Sequence, residues 1–111
     1  MRLLFGFFKL ESIDWANRNA WISLGIGDQT NWNKGYGQEI LELGLGFAFE
    51  ELNLSRVQLT VFDSNKCAIA AYKKCGFKHE GGHREYLQRD GQTDDMLLFG
   101  ILRREWEAVK K

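Results

Sequence analysis

Residues 3–13, Leu3-Leu4-Phe5-Gly6-Phe7-Phe8-Lys9-Leu10-Glu11-Ser12-Ile13, form an apolar run that predicts a strand, with Phe5, Phe7 and Lys9 on one face. Asp14-Trp15-Ala16-Asn17-Arg18-Asn19 is a polar turn, and residues 20–27 predict a second strand, so the chain opens on an antiparallel hairpin. Residues 38–52 carry two periodicities. Leu41, Leu43, Leu45, Phe47 and Phe49 alternate as in a strand, whereas Ile40/Leu41, Gly44/Leu45, Ala48/Phe49 and Leu52 recur at helical spacing. Length decides for a helix, because roughly 15 residues is long for a strand. Gly44 and Gly46 inside it each cost about 1 kcal/mol relative to alanine, which points to close packing on a sheet.

Val57-Gln58-Leu59-Thr60-Val61-Phe62 is β-branched and bounded by polar residues, a strand. A helix joins it to the strand before, so the two should run parallel with a right-handed crossover. Asp63-Ser64-Asn65 supplies N-cap chemistry for a helix over 66–74 that ends at Cys75-Gly76. Residues 77–87 and 93–102 predict a long antiparallel hairpin. Its turn is Arg89-Asp90-Gly91-Gln92, where Asp-Gly favours type I′. Residues 103–111 read as a charged tail with Trp106 and Val109 as anchors. The fold class is α/β (α+β): a mixed, mostly antiparallel sheet with one parallel crossover and two main helices, in one domain over 1–111.

Composition narrows the function classes. The 15 basic residues balance the 15 acidic ones, so net charge recruits neither nucleic acid nor an anionic membrane. No apolar stretch approaches the roughly 18 residues of a membrane span. The apolar start lacks a small-residue cleavage site and is interrupted by Lys9 and Glu11, against a signal peptide. Cys67 and Cys75 lie eight apart in one predicted helix, too constrained for a disulfide, so reduced cytoplasmic thiols are expected. His79 and His83 beside a cysteine fit no zinc spacing, so no metal is expected.

Between the second strand and the first helix lies Asn31-Trp32-Asn33-Lys34-Gly35-Tyr36-Gly37. Strand, glycine-punctuated turn and helix together aim backbone N–H groups at an anion. Glycine also simply ends strands, so the turn alone does not choose between these readings. The order of elements with these residues resembles the GNAT acyl-CoA N-acyltransferases, and most closely their RimJ/RimL-like branch of ribosomal-protein alanine acetyltransferases. The resemblance is carried by Asn33-Lys34-Gly35-Tyr36-Gly37, Ala48-Phe49, Leu54-Ser55-Arg56-Val57 and Asn65 with Ala68-Ile69. It continues through Tyr72-Lys73-Lys74-Cys75-Gly76-Phe77, Glu80-Gly81, Arg84-Glu85, Asp90-Gly91 and Gly100-Ile101-Leu102. It runs from about residue 3 to residue 106. The family's usual N-terminal third, which helps form the acceptor side of the cleft, has no counterpart here.

The resemblance implies acetyl-CoA as co-substrate. The backbone amides of Asn33, Lys34, Gly35, Tyr36 and Gly37 would hold its pyrophosphate at the helix N-terminus. Trp32 stands where the family carries Gln or Arg, leaving that contact to the backbone. Leu24, Gly25 and Ile26 would pair with the pantetheine arm where their strand diverges from the next, and Asn65 would bond the same arm while also capping its helix. Tyr72 matches the tyrosine that protonates the departing thiolate. The base that takes the ammonium proton stays open among Glu80, Glu85, His79, His83, Asp28 and Glu11, with Glu85 preferred.

The expected activity is N-acetyl transfer to a primary amine, on a small molecule or a protein N-terminus, in the cytoplasm. The alternatives are a non-catalytic acyl-CoA-binding module, or an inactive fragment acting through strand pairing. Residues 3–10, as an edge strand, predict homo-oligomerisation, most simply a homodimer.

Overall fold

The computed structural model describes residues 3–5, 8–24 and 36–110. The apolar run at the start is two strands, not one: β1 (Leu3–Phe5) and β2 (Phe8–Asp14) pair antiparallel in the register Leu3↔Leu10 and Phe5↔Phe8. Phe5-Gly6-Phe7-Phe8 contains no polar residue to mark a turn, so the hydrophobic pattern runs unbroken through it. β2 is therefore an inner strand, and the edge is the three-residue β1. Next come β3 (Asn19–Leu24), α1 (Tyr36–Gly46) with a π-helical turn at Phe47–Glu51, and β4 (Arg56–Phe62). The chain ends with α2 (Lys66–Lys74), β5 (Lys78–Arg89), β6 (Gln92–Leu102) and α3 (Arg103–Lys110).

The six strands form one sheet in the order β1-β2-β3-β4-β6-β5. Among the described residues β3 and β4 alone pair in parallel; the other ladders are antiparallel. The mixed sheet with one parallel pair, β3 and β4, is thus as expected. Both crossovers, β3 to β4 through α1 and β4 to β5 through α2, step the same way across the sheet. Right-handedness then puts both helices on one face, and they touch there. Ala20, Ile22, Val57, Leu59, Val61, Phe99 and Ile101 on the strands pack against Leu41, Leu45, Phe49, Ala68, Ile69 and Tyr72 on the helices.

The charged tail is a helix. Glu105 accepts the Leu102 N–H (3.0 Å), half of a capping box, and Trp106 stacks on Phe49 with centroids 5.2 Å apart. Eight residues are too few for propensity to announce a helix, and packing supplies its stability. At the hairpin turn Asp90 (φ 51°) and Gly91 (φ 76°) are both left-handed, as type I′ requires. Gly46 is not there for close packing, because a Cβ built on it meets nothing nearer than Glu50 Oε1 at 3.7 Å. It marks where the α-helix passes into the π turn.

The face opposite the helices carries one cross-strand strap. Arg56 on β4 reaches across β6 to Glu80 on β5, with Nη1–Oε2 at 2.9 Å and a second Nη2–Oε1 contact. Gln58 accepts from Arg56 Nε at 2.6 Å. The strap passes over Gly100, where a Cβ would come within 2.7 Å of Glu80 Cδ and 2.8 Å of Arg56 Nη2. The Arg56 guanidinium holds the Glu80 carboxyl below the usual carboxylate range, chiefly by their hydrogen bond.

Gly46→Ala should stabilise the fold by roughly 0.5–1 kcal/mol, seen as a higher Tm, because the site is helical and open. Gly100→Ala should cost about 1 kcal/mol by displacing the strap, and much less in a Glu80→Ala background. Since Glu80 is depressed when folded, the strap contributes fully above the ordinary value of 4.5 and fades as pH falls through the lower folded value. The stability difference between wild type and Glu80→Gln, followed by denaturant unfolding against pH, should shrink over that range.

Candidate functional site

The parallel ladder is three rungs long: Asn19↔Arg56, Ala20↔Val57 and Trp21↔Gln58. Beyond it β3 continues to Leu24, paired only with β2 through Leu10↔Ile22, Lys9↔Ser23 and Phe8↔Leu24. β4 continues to Phe62, paired only with β6 from Leu59↔Phe99 to Phe62↔Met96. Among the described residues the inner edges of 22–24 and 59–62 therefore face each other unbonded. Backbone N–H and C=O groups there need partners from solvent or a ligand. The opening lies at the carboxyl ends of a parallel pair, where open sheets place their ligands.

The expected strand divergence at Leu24 is present; Gly25 and Ile26 lie outside the described residues. Asn33, Lys34 and Gly35 also lie outside them, while Tyr36 and Gly37 open α1. Across the opening, Asn65 is the N-cap of α2 and its Oδ1 accepts the Ala68 N–H at 3.3 Å. The carbonyl end of the amide is thereby used for capping, and Nδ2 remains as a donor. Further along α2, Tyr72 is buried against Phe77 (centroids 5.8 Å) and Phe99 (6.4 Å). Phe99 pairs with Leu59, so Tyr72 sits over β6 level with the first residue beyond the parallel ladder. Burial pushes its phenol up to about 12, which keeps it protonated at neutral pH.

A Schellman motif ends α2: Phe77 N–H bonds Tyr72 O and Gly76 N–H bonds Lys73 O, each at 3.0 Å. Gly76 takes the left-handed φ of 104° that the motif needs. The Cys75 thiol, pushed up to about 11 by burial, is no nucleophile near neutral pH.

The base candidates scatter. Glu80 holds Arg56, Glu11 pairs with Lys9 at 2.7 Å, and the His79 ring stacks on Phe99. His83 stacks on Tyr86, and Asp28 lies outside the described residues. Glu85 is exposed on β5, with left-handed φ of 50°. It stands in a bulge where residues 84–86 oppose Asp95 alone, and its N–H bonds Asp95 Oδ1 at 2.8 Å. From β4 that is two strand spacings, about 10 Å. The structure does not bring Tyr72 and Glu85 together.

Two residues that sequence reasoning passed over frame the opening. Asp94 and Asp95 of β6 bond the β4–α2 turn: Ser64 N–H to Asp94 Oδ1 (3.2 Å), Ser64 Oγ to Asp94 Oδ2, and Asp63 N–H to Asp95 O (3.0 Å). Nothing in the sequence marks a pairing across thirty residues. A separate groove of about 660 Å³, lined by Leu43, Phe47, Lys74 and Trp106 among others, lies at the C-terminal ends of α1 and α2, away from the opening. Among the described residues no three His, Cys, Asp or Glu side chains gather to hold a metal, and no helix is long and apolar enough to cross a membrane.

A sheet with one split parallel pair, each of its strands followed by a helix packed on the same face, defines an acyl-CoA acyltransferase architecture. The chain belongs to the GNAT acetyltransferase family, whose domain model matches residues 2–78. YdaF of Bacillus subtilis, named as an N-acetyltransferase, is 33% identical over 107 residues, covering 96% of this chain and 58% of its own. The spermidine N(1)-acetyltransferase of Vibrio cholerae is 28% identical over 103 residues, covering 93% of this chain and 59% of that protein. The Vibrio cholerae spermidine N-acetyltransferase solved with CoA and spermine superposes with TM-score 0.79 at 27% identity, over 90% of this chain and 59% of that one. The chain thus spans a little over half the length of these relatives.

Proposed function

We propose that this chain forms the cofactor side of an N-acetyltransferase that moves the acetyl group of acetyl-CoA onto a primary amine. The observation that carries the reading is the opening between residues 22–24 and 59–62 with the Asn65-capped helix at its mouth. A pantetheine arm laid into it would take strand-like hydrogen bonds from the unpaired β3 edge. Asn65 Nδ2 would donate to a carbonyl of that arm while Oδ1 keeps its cap. The amides from Asn33 to Gly37 would receive the pyrophosphate at the start of α1. That a Vibrio cholerae protein of this fold was solved with CoA and spermine supports a CoA-binding reading.

Tyr72 acts in this reading as a hydrogen-bond donor to the departing thiolate. A phenol near 12 would transfer its proton fully to a thiolate of ordinary value near 8.5 only against about 3.5 pKa units, so donation without transfer is the better role. Glu85, our preferred base, would reach the amine through a water chain, given its distance from β4.

The acceptor in this reading is a primary amine of a small molecule or a protein N-terminus, and the motif set supports a RimJ/RimL-like acetyltransferase. We place it in the cytoplasm, where Cys67 and Cys75, which form no disulfide, would stay reduced. Among the described residues β1 is bonded on one side only, which offers an edge for pairing with a second copy. Light scattering across a wide concentration range should show a dimer or larger species; a strict monomer would remove that proposal.

The test of the cofactor reading is acetyl-CoA calorimetry on wild type, Gly37→Glu and Asn65→Asp. Wild type should bind, and Gly37→Glu should abolish binding by setting a carboxylate against the pyrophosphate. Asn65→Asp preserves the cap, so thermal stability should stay within about 0.5 kcal/mol. It replaces the Nδ2 donor with an anion, so affinity should fall at least about tenfold. Absence of binding by wild type would sink the reading.

A further inference from the structure

Burial does not hold the mouth of the opening in place. α2 packs on the sheet from Ala68 onward through Ala68, Ile69 and Tyr72, whereas Ser64, Asn65 and Lys66 ahead of them are exposed. The cap between Asn65 and Ala68 ties Asn65 to its own helix and says nothing of where that end sits relative to β4. Two elements fix it. Asn65 N–H bonds Phe62 O at 2.9 Å, closing the turn on the strand. The rest comes from the neighbouring hairpin, where Asp94 takes both polar hydrogens of Ser64 and the Asp95 carbonyl takes the Asp63 N–H.

We propose that Asp94 is a positioning residue for the opening: its two-pronged grip on Ser64 sets Asn65 at the distance from β3 at which a ligand can bridge the two strands. The inference rests on the reading of the opening as an acyl-CoA site. Asp94 is half-buried on β6, directly opposite Leu87 of β5. Its neighbour Asp95 faces the Arg84-Glu85-Tyr86 bulge and holds the Glu85 N–H, so the hairpin that grips the turn is itself pinned at the same level. A carboxylate accepting two hydrogen bonds from one residue fixes that residue's orientation as well as its distance.

A purely structural role is separable from this one. A carboxylate near a helix N-terminus also stabilises the helix by its charge. Asp94→Asn removes that charge yet keeps the grip, because its Oδ1 still accepts the Ser64 N–H and its Nδ2 can donate to Ser64 Oγ. Asp94→Ala removes both. Ser64→Ala removes the hydroxyl prong alone and leaves the amide bond, so it reports on the grip even if Asp94→Ala does not fold.

The experiment is acetyl-CoA calorimetry on the full chain as wild type, Asp94→Ala, Asp94→Asn and Ser64→Ala, with thermal melts and amide exchange at Ser64 and Ala68. The expected result is an affinity about tenfold weaker for Asp94→Ala, about threefold weaker for Ser64→Ala and within about twofold of wild type for Asp94→Asn. Ser64 exchange should quicken in Asp94→Ala while Ala68 stays protected. Wild-type affinity in folded Asp94→Ala, or in Ser64→Ala, overturns the inference and leaves the acyl-CoA reading standing. Asp94→Asn as weak as Asp94→Ala also overturns it, since charge rather than position would then matter. A wild type that binds no acetyl-CoA overturns both.

Discussion

Where β3 and β4 stop bonding to each other decides what else the fold must supply. Three parallel rungs are few for two strands of six and seven residues, and a parallel pair is slightly weaker per residue than an antiparallel one. The closed end of the pair is accordingly braced from outside the ladder. The Arg18 carbonyl accepts both the Ser55 N–H (2.7 Å) and the Arg56 N–H (3.2 Å), and Ser55 O accepts the Arg103 N–H (2.9 Å). Asn53, itself left-handed at φ 56°, takes Arg18 Nε on its carbonyl and Arg103 Nη1 on its side chain. The loops before β3, before β4 and after β6 are thereby joined at one point. The strands are fastened at one end and can part at the other.

The two walls of that opening differ in stiffness for the same reason. β4 is followed by β6 and β5, joined by long antiparallel ladders and by the Arg56–Glu80 strap over Gly100. β3 is backed by β2 and the short β1, with a bulge at residues 11–14 that interrupts the β2–β3 register. Helix packing covers only one face, so the strap does on the other face part of what a second layer of helices would otherwise do. Arg56 and Glu80 keep about a third of their side-chain surface in water, so the strap is worth about 1 kcal/mol at most, like other surface pairs.

The legible parts of the chain were those whose signals are local. Asn65 and Cys75-Gly76 bracket a helix by their own chemistry, and α2 has the boundaries that the residues announce. Asp90-Gly91 declares the hairpin turn in the same way. The division of the first apolar run into β1 and β2 was hidden because hydrophobicity continues across it, and α3 because packing around Trp106, not propensity, makes its eight residues a helix. Gly46 misled because a helical glycine suggests close packing, and only a built Cβ shows that the space is open. At the site, the end of β3 at Leu24 and the cap at Asn65 follow from local signals, whereas the hold of Asp94 on Ser64 joins residues thirty positions apart and no periodicity carries it. Glu85 drew notice as an acid on the predicted hairpin arm, but the bulge that displays it depends on the register of two strands.

Asn65 shows why a site of this kind asks for an amide rather than an acid at the helix start. A carboxylate caps as well, but both of its oxygens are acceptors, and nearby carbonyl and phosphate groups of a ligand would find no donor and a repelling charge. In the proposed reading an asparagine divides the tasks between its two ends, Oδ1 for Ala68 and Nδ2 for what enters the opening. That division works only if the residue is held at a fixed height over the split, because an amide free to rotate would exchange its two ends at little cost. The cap fixes the rotation, the Phe62 carbonyl closes the turn, and the carboxylate of Asp94, brought in from a strand that shares no turn with Asn65, fixes the height. The sequence position of the site is thus local, while its geometry is set by the hairpin that follows it.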